Sequence, residues 1–153
     1  MVMNKKPFEG IPQKITLSAQ FKNLEELRNF VGRHAIAFKL NEKQVYQVQL
    51  AVDEAFTNIV EHAYGGECQE MIECTCRITD QGLEITMQDC GNNFEPAKIP
   101  DPDLHAALEE REVGGLGLFF IRQLMDEVEF KFITETEPAR KCNLLRMVKR
   151  KRE

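Results

Sequence analysis

No stretch of this 153-residue sequence approaches the ~20 consecutive apolar residues of a membrane-spanning helix. The opening residues carry Lys5 and Lys6 with no apolar stretch behind them, so they do not form a secretory signal. A cytoplasmic location is expected, and no membrane partner. Internal repeats, low-complexity segments and long linkers are also missing. So is an excess of positive charge: 20 Lys and Arg stand against 25 Asp and Glu, a net −5. General nucleic-acid binding needs a basic footprint and is excluded on that ground. A local exception is the run Lys149, Arg150, Lys151, Arg152, which reads as a solvated tail, with a docking role as the alternative.

Cysteine is sparse and odd in number: Cys68, Cys74, Cys76, Cys90 and Cys142. No Cys-x-x-Cys occurs. Cys74 and Cys76 are one residue apart with no histidine near them in sequence, so strand alternation explains them better than a metal site does. Free thiols in a reducing compartment are expected, because a chain of this length folds without staples. Two familiar phosphate-binding patterns are absent as well. There is no Gly-x-x-x-x-Gly-Lys-Ser/Thr loop, and the one glycine cluster follows a loop, not the strand that a dinucleotide fingerprint requires.

What is present suits one soluble domain: 42% hydrophobic residues for a core and 29% charged residues. Lys14 to Ala19 alternates as a short strand. Asn23 is a candidate cap for a helix with Glu25 and Glu26 in its first turn. That helix runs to about Lys39 on the spacing of Leu24, Leu27, Val31, Ala35 and Phe38. Asn41 caps a second helix. Its stripe of Val45, Val48, Val52, Ala55, Phe56, Ile59, Val60 and Ala63 ends at Gly65-Gly66. Met71 to Thr79 and Leu83 to Asp89 flank Gln81-Gly82 as a hairpin. From Cys90 to Val113 glycine, asparagine and proline forbid a long element, except for a short helix at Leu104 to Glu109. Gly114 to Asp126 reads as a third helix, and Val128 to Thr134 and Leu144 to Lys149 as closing strands. The order predicts an α+β sandwich, with helices on one face of a mostly antiparallel sheet.

Three places could carry chemistry. On the second helix Glu54 and Asn58 lie roughly 200° and 240° around from Val52. One turn apart, they share a polar face, and His62 continues their row. If another element covers that face, a glutamate can accept a proton and an asparagine can offer a neutral oxygen to Mg²⁺; otherwise it is a solvated face. Asp89-Cys90-Gly91 ends the hairpin. It is either an Asp turn or a carboxylate aimed at an exocyclic amine, with a glycine that lets a flat ring approach. Gly114-Gly115-Leu116-Gly117-Leu118 opens the third helix. It is either a hinge or a phosphate cradle, since helix N-termini expose unpaired N–H groups.

Taken in order, Glu54-x-x-x-Asn58, Asp89-x-Gly91 and Gly115-x-Gly117 resemble the N box and two glycine boxes of the GHKL ATPase superfamily. Within it the chain is most similar to the anti-sigma factor serine/threonine kinases of bacterial partner-switching systems. Ala51 to Asn58, Gly91 to Pro96 and Gly114 to Val128 carry that likeness, which extends from about Leu17 to Lys149. It implies a Bergerat-type two-layer sandwich: a mostly antiparallel mixed sheet, three main helices on one face and an ATP lid from about Asn92 to Val113. The domain plan is an extension over 1–12, the ATPase domain over 13–149 and a basic tail over 150–153.

The resemblance also implies roles. Asn58 would coordinate Mg²⁺ on the ATP phosphates, and Glu54 would be the general base. Asp89 would take the adenine amine with Gly91 beneath the ring. Gly114, Gly115, Leu116, Gly117 and Leu118 would wrap the phosphates, and Arg111 is the candidate cation for the γ-phosphate. The family commonly has Gly-Thr or a similar pair opening the last strand, where this chain reads Arg140-Lys-Cys-Asn-Leu144. The missing contact is absent, made through water, or replaced by Asn143. The implied partners are a STAS-domain anti-sigma-factor antagonist, phosphorylated on Ser or Thr, possibly a sigma factor, and a second copy in a homodimer. Two other readings compete. One is a non-catalytic, nucleotide-dependent binding switch, which needs no base at Glu54. The other is a detached sensor-kinase ATPase domain acting on a histidine elsewhere. No phosphoacceptor helices are present, so a complete histidine kinase is not expected.

Overall fold

The computed structural model describes residues 11–92, 115–136 and 139–151, and of residues 115–118 the backbone alone. The expected lid from Asn93 onward, the short helix at Leu104, Arg111 and Gly114 lie outside these residues. The elements are β1 (Gln13–Ser18), α1 (Leu24–Ala37), α2 (Glu42–Asn58), β2 (Met71–Thr79), β3 (Gly82–Asp89), α3 (Gly115–Leu124), β4 (Glu127–Thr136) and β5 (Ala139–Lys149). The strands form one sheet in the order β1-β2-β3-β5-β4. The last strand is thus inserted between β3 and β4. Every pairing among the described strands is antiparallel, so the sheet is not mixed there.

Strand alternation divides the sheet into two faces. Ile72, Cys74, Cys76 and Ile78 of β2 point into the core with Leu83, Ile85 and Met87 of β3 and Leu145 and Met147 of β5. Cys74 and Cys76 are therefore core residues of one strand, as their spacing suggests. Thr16, Glu73, Thr75, Glu84, Thr86 and Gln88 alternate with them, and the cross-strand register keeps them on the opposite face. The β2–β3 turn is closed by Thr79, whose Oγ1 accepts from the backbone N–H groups of Gln81 and Gly82, both at 3.2 Å. Position 82 needs glycine, because a Cβ there would sit 2.6 Å from the Lys149 carbonyl oxygen.

The helices cover the apolar face. Asn23 precedes α1 without capping it through its side chain. Its amide instead donates to the carbonyl and hydroxyl oxygens of Ser18, both at 2.9 Å. Asn41 makes a full capping box: Asn41 Oδ1 accepts from Gln44 N–H at 2.8 Å, and Gln44 Oε1 accepts from Asn41 N–H at 3.0 Å. α2 presses Val48, Ala51, Val52, Ala55 and Phe56 into the core. Burying a side chain such as Phe56 contributes about 3 kcal/mol or more. Beyond Asn58 the regular α-helix expected through Ala63 widens into a π-helical turn, Ile59–Ala63. Such turns re-aim the side chains around them and recur at functional sites. Gly65 has φ 72°, and the Gly66 N–H donates to the Val60 carbonyl at 2.8 Å, closing the segment. α3 packs beside α2 and buries Ile121.

The start of the basic run is attached to this body and is not a wholly solvated tail. Arg150 donates its N–H to Asp126 at 2.7 Å and pairs with Glu127 at 3.1 Å. Lys151 lies 4.9 Å from the centre of the Phe38 ring. No helix among the described residues is long and apolar enough to cross a membrane.

Candidate functional site

Asp89 is the last residue of β3, opposite Asn143 of β5, and is only 2% exposed. A buried carboxylate needs partners. The Asn143 amide donates to Asp89 Oδ1 at 2.9 Å, and the Gly91 N–H donates to the same oxygen at 3.0 Å. Burial still outweighs both bonds and raises the Asp89 pKa from its ordinary value. Asn143, 1% exposed, also donates to the Asn92 carbonyl at 3.0 Å. Its own Oδ1 is buried and has no hydrogen-bond partner among the described residues. A buried acceptor left open is costly unless a ligand or water supplies a donor. Asp89 and Asn143 thus bring two acceptor groups together at one strand end.

The turn after Asp89 is tied to the end of the α2 segment. Asn92 donates its N–H to the Ala63 carbonyl at 2.8 Å. A Cβ at position 91 would lie 2.7 Å from that carbonyl oxygen and 2.8 Å from two carbons of the Tyr64 ring. Gly91 therefore makes room for the protein's own helix end, a requirement the sequence reading assigned to a bound ring. Tyr64 was missed by that reading. Its hydroxyl donates to the Met71 carbonyl at 2.9 Å, and burial pushes its pKa up to about 12, so it remains a neutral donor. Its place just before Gly65-Gly66 was the available signal.

On α2, Asn58 is 7% exposed, so the polar row of the helix is covered at that point. Glu54 lies one turn earlier. Burial, followed by the charge of Glu61, raises its pKa, which suits a carboxylate that must accept a proton near neutral pH. Its neighbour Asp53 is raised further, to about 6, by burial against the opposing attraction of Arg28. Arg28 stands 3.4 Å away. α3 begins at Gly115 and runs beside α2. Gly115, Leu116, Gly117 and Leu118 thus form the first turn of a helix, where unpaired N–H groups gather.

The thiol expectation is corrected. Cys90 and Cys142 are joined in a disulfide, while Cys68, Cys74 and Cys76 are free. The two bonded residues are 52 apart in sequence. They meet because they are the next positions beyond the Asp89–Asn143 pair, which no local pattern reveals.

Comparison with known proteins decides the family. The model of the histidine kinase-like ATPase domain matches residues 17–149. The chain belongs to that family. Over 92 residues it is 35% identical to a serine-protein kinase RsbW of Listeria monocytogenes, an alignment covering 58% of this chain and 59% of that protein. The chain therefore spans somewhat over half the length of this curated relative. With a serine-protein kinase RsbW of Bacillus mycoides it shares 29% identity over 126 residues, covering 80% of this chain and 77% of the relative. Two solved structures share the fold. The RsbU and RsbW domains of a Mycobacterium tuberculosis protein align with a TM-score of 0.60 at 16% identity, covering 91% of this chain and 32% of that one. The SiaB–SiaC complex of Pseudomonas aeruginosa aligns with a TM-score of 0.59 at 14% identity, covering 89% of each chain. A two-layer α+β sandwich of the histidine kinase-like type, expected from the motifs, is the fold observed.

Proposed function

We propose that this histidine kinase-like domain is an ATP-dependent serine/threonine protein kinase that phosphorylates a STAS-domain antagonist in a bacterial partner-switching system. One observation carries the catalytic part. Glu54, a carboxylate made more basic by burial, stands one helical turn from the buried amide of Asn58. Phosphoryl transfer asks for that pair, a base for the incoming hydroxyl and a neutral oxygen for a hard cation. The similarity to serine-protein kinases named RsbW supports the same reading.

The roles follow from the chemistry of each group. Asp89 and Asn143 accept from the adenine amine, so a base that presents a carbonyl there instead is rejected. The first turn of α3, Gly115 to Leu118, takes phosphate oxygens on its N–H groups. Asn58 would hold Mg²⁺, which neutralises phosphate charge. The donor fits, because a buried amide oxygen is a hard, neutral ligand. Glu54 accepts the proton of the Ser or Thr hydroxyl as its oxygen bonds to the γ-phosphorus and the bond from that phosphorus to the β,γ-bridging oxygen breaks, releasing ADP. An ATP lid from about Asn92 to Val113, a cation at Arg111, contact at Gly114, a homodimer and sequestration of a sigma factor complete the proposal.

The test is transfer of labelled phosphate from ATP to a co-purified STAS protein, with acid-stable label on Ser or Thr. Glu54→Gln is expected to lower transfer by about 10²–10⁴-fold with nucleotide affinity kept. A variant that transfers as well as the parent sinks the kinase reading and leaves a nucleotide-dependent binding switch. Acid-labile label would instead assign a histidine acceptor.

A further inference from the structure

The nucleotide reading makes no use of the Cys90–Cys142 disulfide. Each of its residues adjoins a member of the Asp89–Asn143 pair. Asp89 precedes Cys90 on β3, and Asn143 follows Cys142 on β5. The bond therefore clamps the two strands one step beyond the acceptors assigned to adenine. It also fixes the start of the turn whose Gly91 N–H and Asn92 carbonyl bind Asp89 and Asn143.

The two sulfurs differ in access. Cys142 is fully buried. Cys90 is half-buried and lines a solvent-open cavity of about 240 Å³ with Gln88, Glu135, Arg140 and Tyr64. An exchanging thiol thus has a route to Cys90 and none to Cys142. Glu135 stands within 4.8 Å of both sulfurs, a grouping that could suggest a metal site. Its oxygens are already engaged, however, by Gln88 at 2.7 Å and Arg140 at 2.9 Å. Redox exchange uses the pair without displacing those partners.

We propose that Cys90 and Cys142 form a reversible redox modification site that sets the affinity of the adjoining Asp89–Asn143 pair for adenine nucleotide. This rests on the reading of Asp89 and Asn143 as the adenine acceptors. In the reducing direction a small-molecule thiolate attacks Cys90 Sγ, and Cys142 leaves as a thiolate and takes a proton from water. A second thiol then attacks the incoming sulfur of the mixed disulfide and releases Cys90. Two electrons enter the protein, and the reductant leaves as its own disulfide. Oxidation by a small-molecule disulfide runs the same steps backward. Two unbonded sulfurs need more room than a bonded pair, and Cys142 has no exposed surface. Reduction therefore displaces one strand end, and the Asn143 amide moves off Asp89. Loss of a hydrogen bond to a charged group weakens nucleotide binding by roughly tenfold or more.

The experiment measures binding of a non-hydrolysable ATP analogue with Mg²⁺ by calorimetry, on protein oxidised with glutathione disulfide and on protein reduced with dithiothreitol. Maleimide labelling under denaturing conditions, read by mass, counts thiols in each sample. The expected result is three labels and tight binding after oxidation, and five labels with at least about tenfold weaker binding after reduction. Cys90→Ser and Cys142→Ser should both bind like the reduced protein and ignore the reagent. Since Cys142 is buried and its variant can fail to fold, the half-exposed Cys90→Ser carries the conclusion alone. Five labels after oxidation, equal affinity in the two states, or a Cys90→Ser protein that still responds to reductant overturns the redox proposal and leaves the nucleotide reading standing. No binding in either state overturns the nucleotide reading and this inference with it.

Discussion

The Asn143 amide donates to Asp89 Oδ1 at 2.9 Å across the β5–β3 ladder, and its own oxygen is buried without a donor among the described residues. The asparagine thus supports the carboxylate and carries a second, unsatisfied acceptor beside it. Asn143→Ala removes both functions. Affinity for adenine nucleotide should fall at least about 30-fold in calorimetry, the lower end of what one charged and one neutral hydrogen bond contribute. The loss should be larger at acid pH. Asn143 holds the Asp89 pKa down against burial, so without it the carboxylate protonates at higher pH. A uniform loss across pH would contradict this coupling.

Asn58 and Glu54 should separate binding from chemistry. Asn58→Ala is expected to remove the Mg²⁺ dependence of nucleotide binding, measured by titration with and without the cation. Glu54→Gln should keep that dependence and lose turnover. In the parent, burial raises the Glu54 pKa, so the acid limb of the kcat profile should fall above the ordinary value of 4.5. An acid limb at or below that value would remove Glu54 as the base.

Much of this arrangement could be read in the sequence because it is local. The α2 stripe, the Asn41 cap and the β2–β3 hairpin each depend on residues within a few positions of one another, and each is found as expected. What escaped is what only a folded sheet creates. Cys90 meets Cys142, and Asp89 meets Asn143, through insertion of β5 between β3 and β4. No periodicity encodes that strand order. Asn23 was misread for a related reason: its amide found Ser18 at the end of β1 and was drawn from the helix it precedes. The π turn after Asn58 escaped as well, since an apolar stripe has the same sequence whether the last turn is α or π.

Gly91 should tolerate no side chain. In Gly91→Ala the new carbon would press on the Ala63 carbonyl oxygen at 2.7 Å and on the Tyr64 ring at 2.8 Å. Backbone cannot yield as a flexible side chain can, so the cost is of the order of overpacking, about 1–3 kcal/mol. Chemical denaturation should show that loss together with weaker nucleotide binding, because the Gly91 N–H supports Asp89. Unchanged stability would mean that the turn relaxes freely. Tyr64→Phe provides a contrast. It keeps the ring and loses the hydroxyl's bonds to the Met71 carbonyl and the Cys90 backbone, for about 1 kcal/mol or somewhat more.

Asp53 gives the fold a pH dependence with a definite sign. Its pKa is about 6 in the folded chain, against 3.8 for the free side chain. The native state therefore binds the Asp53 proton more tightly than the unfolded state does. The stability that this preference contributes is fully present below pH 3.8 and is lost as pH rises through about 6. The carboxylate is only half-buried, so solvent screening keeps the effect to about 1 kcal/mol. Asp53→Asn removes the titration but leaves Glu54 and its neighbours in place. Between pH 4 and 6, the ordinary titration of the other carboxylates is common to both proteins. The difference in unfolding free energy between variant and parent should therefore grow in the variant's favour across that window. A difference that stays flat, or moves the other way, would show that Arg28 at 3.4 Å outweighs burial and holds the carboxylate ionised.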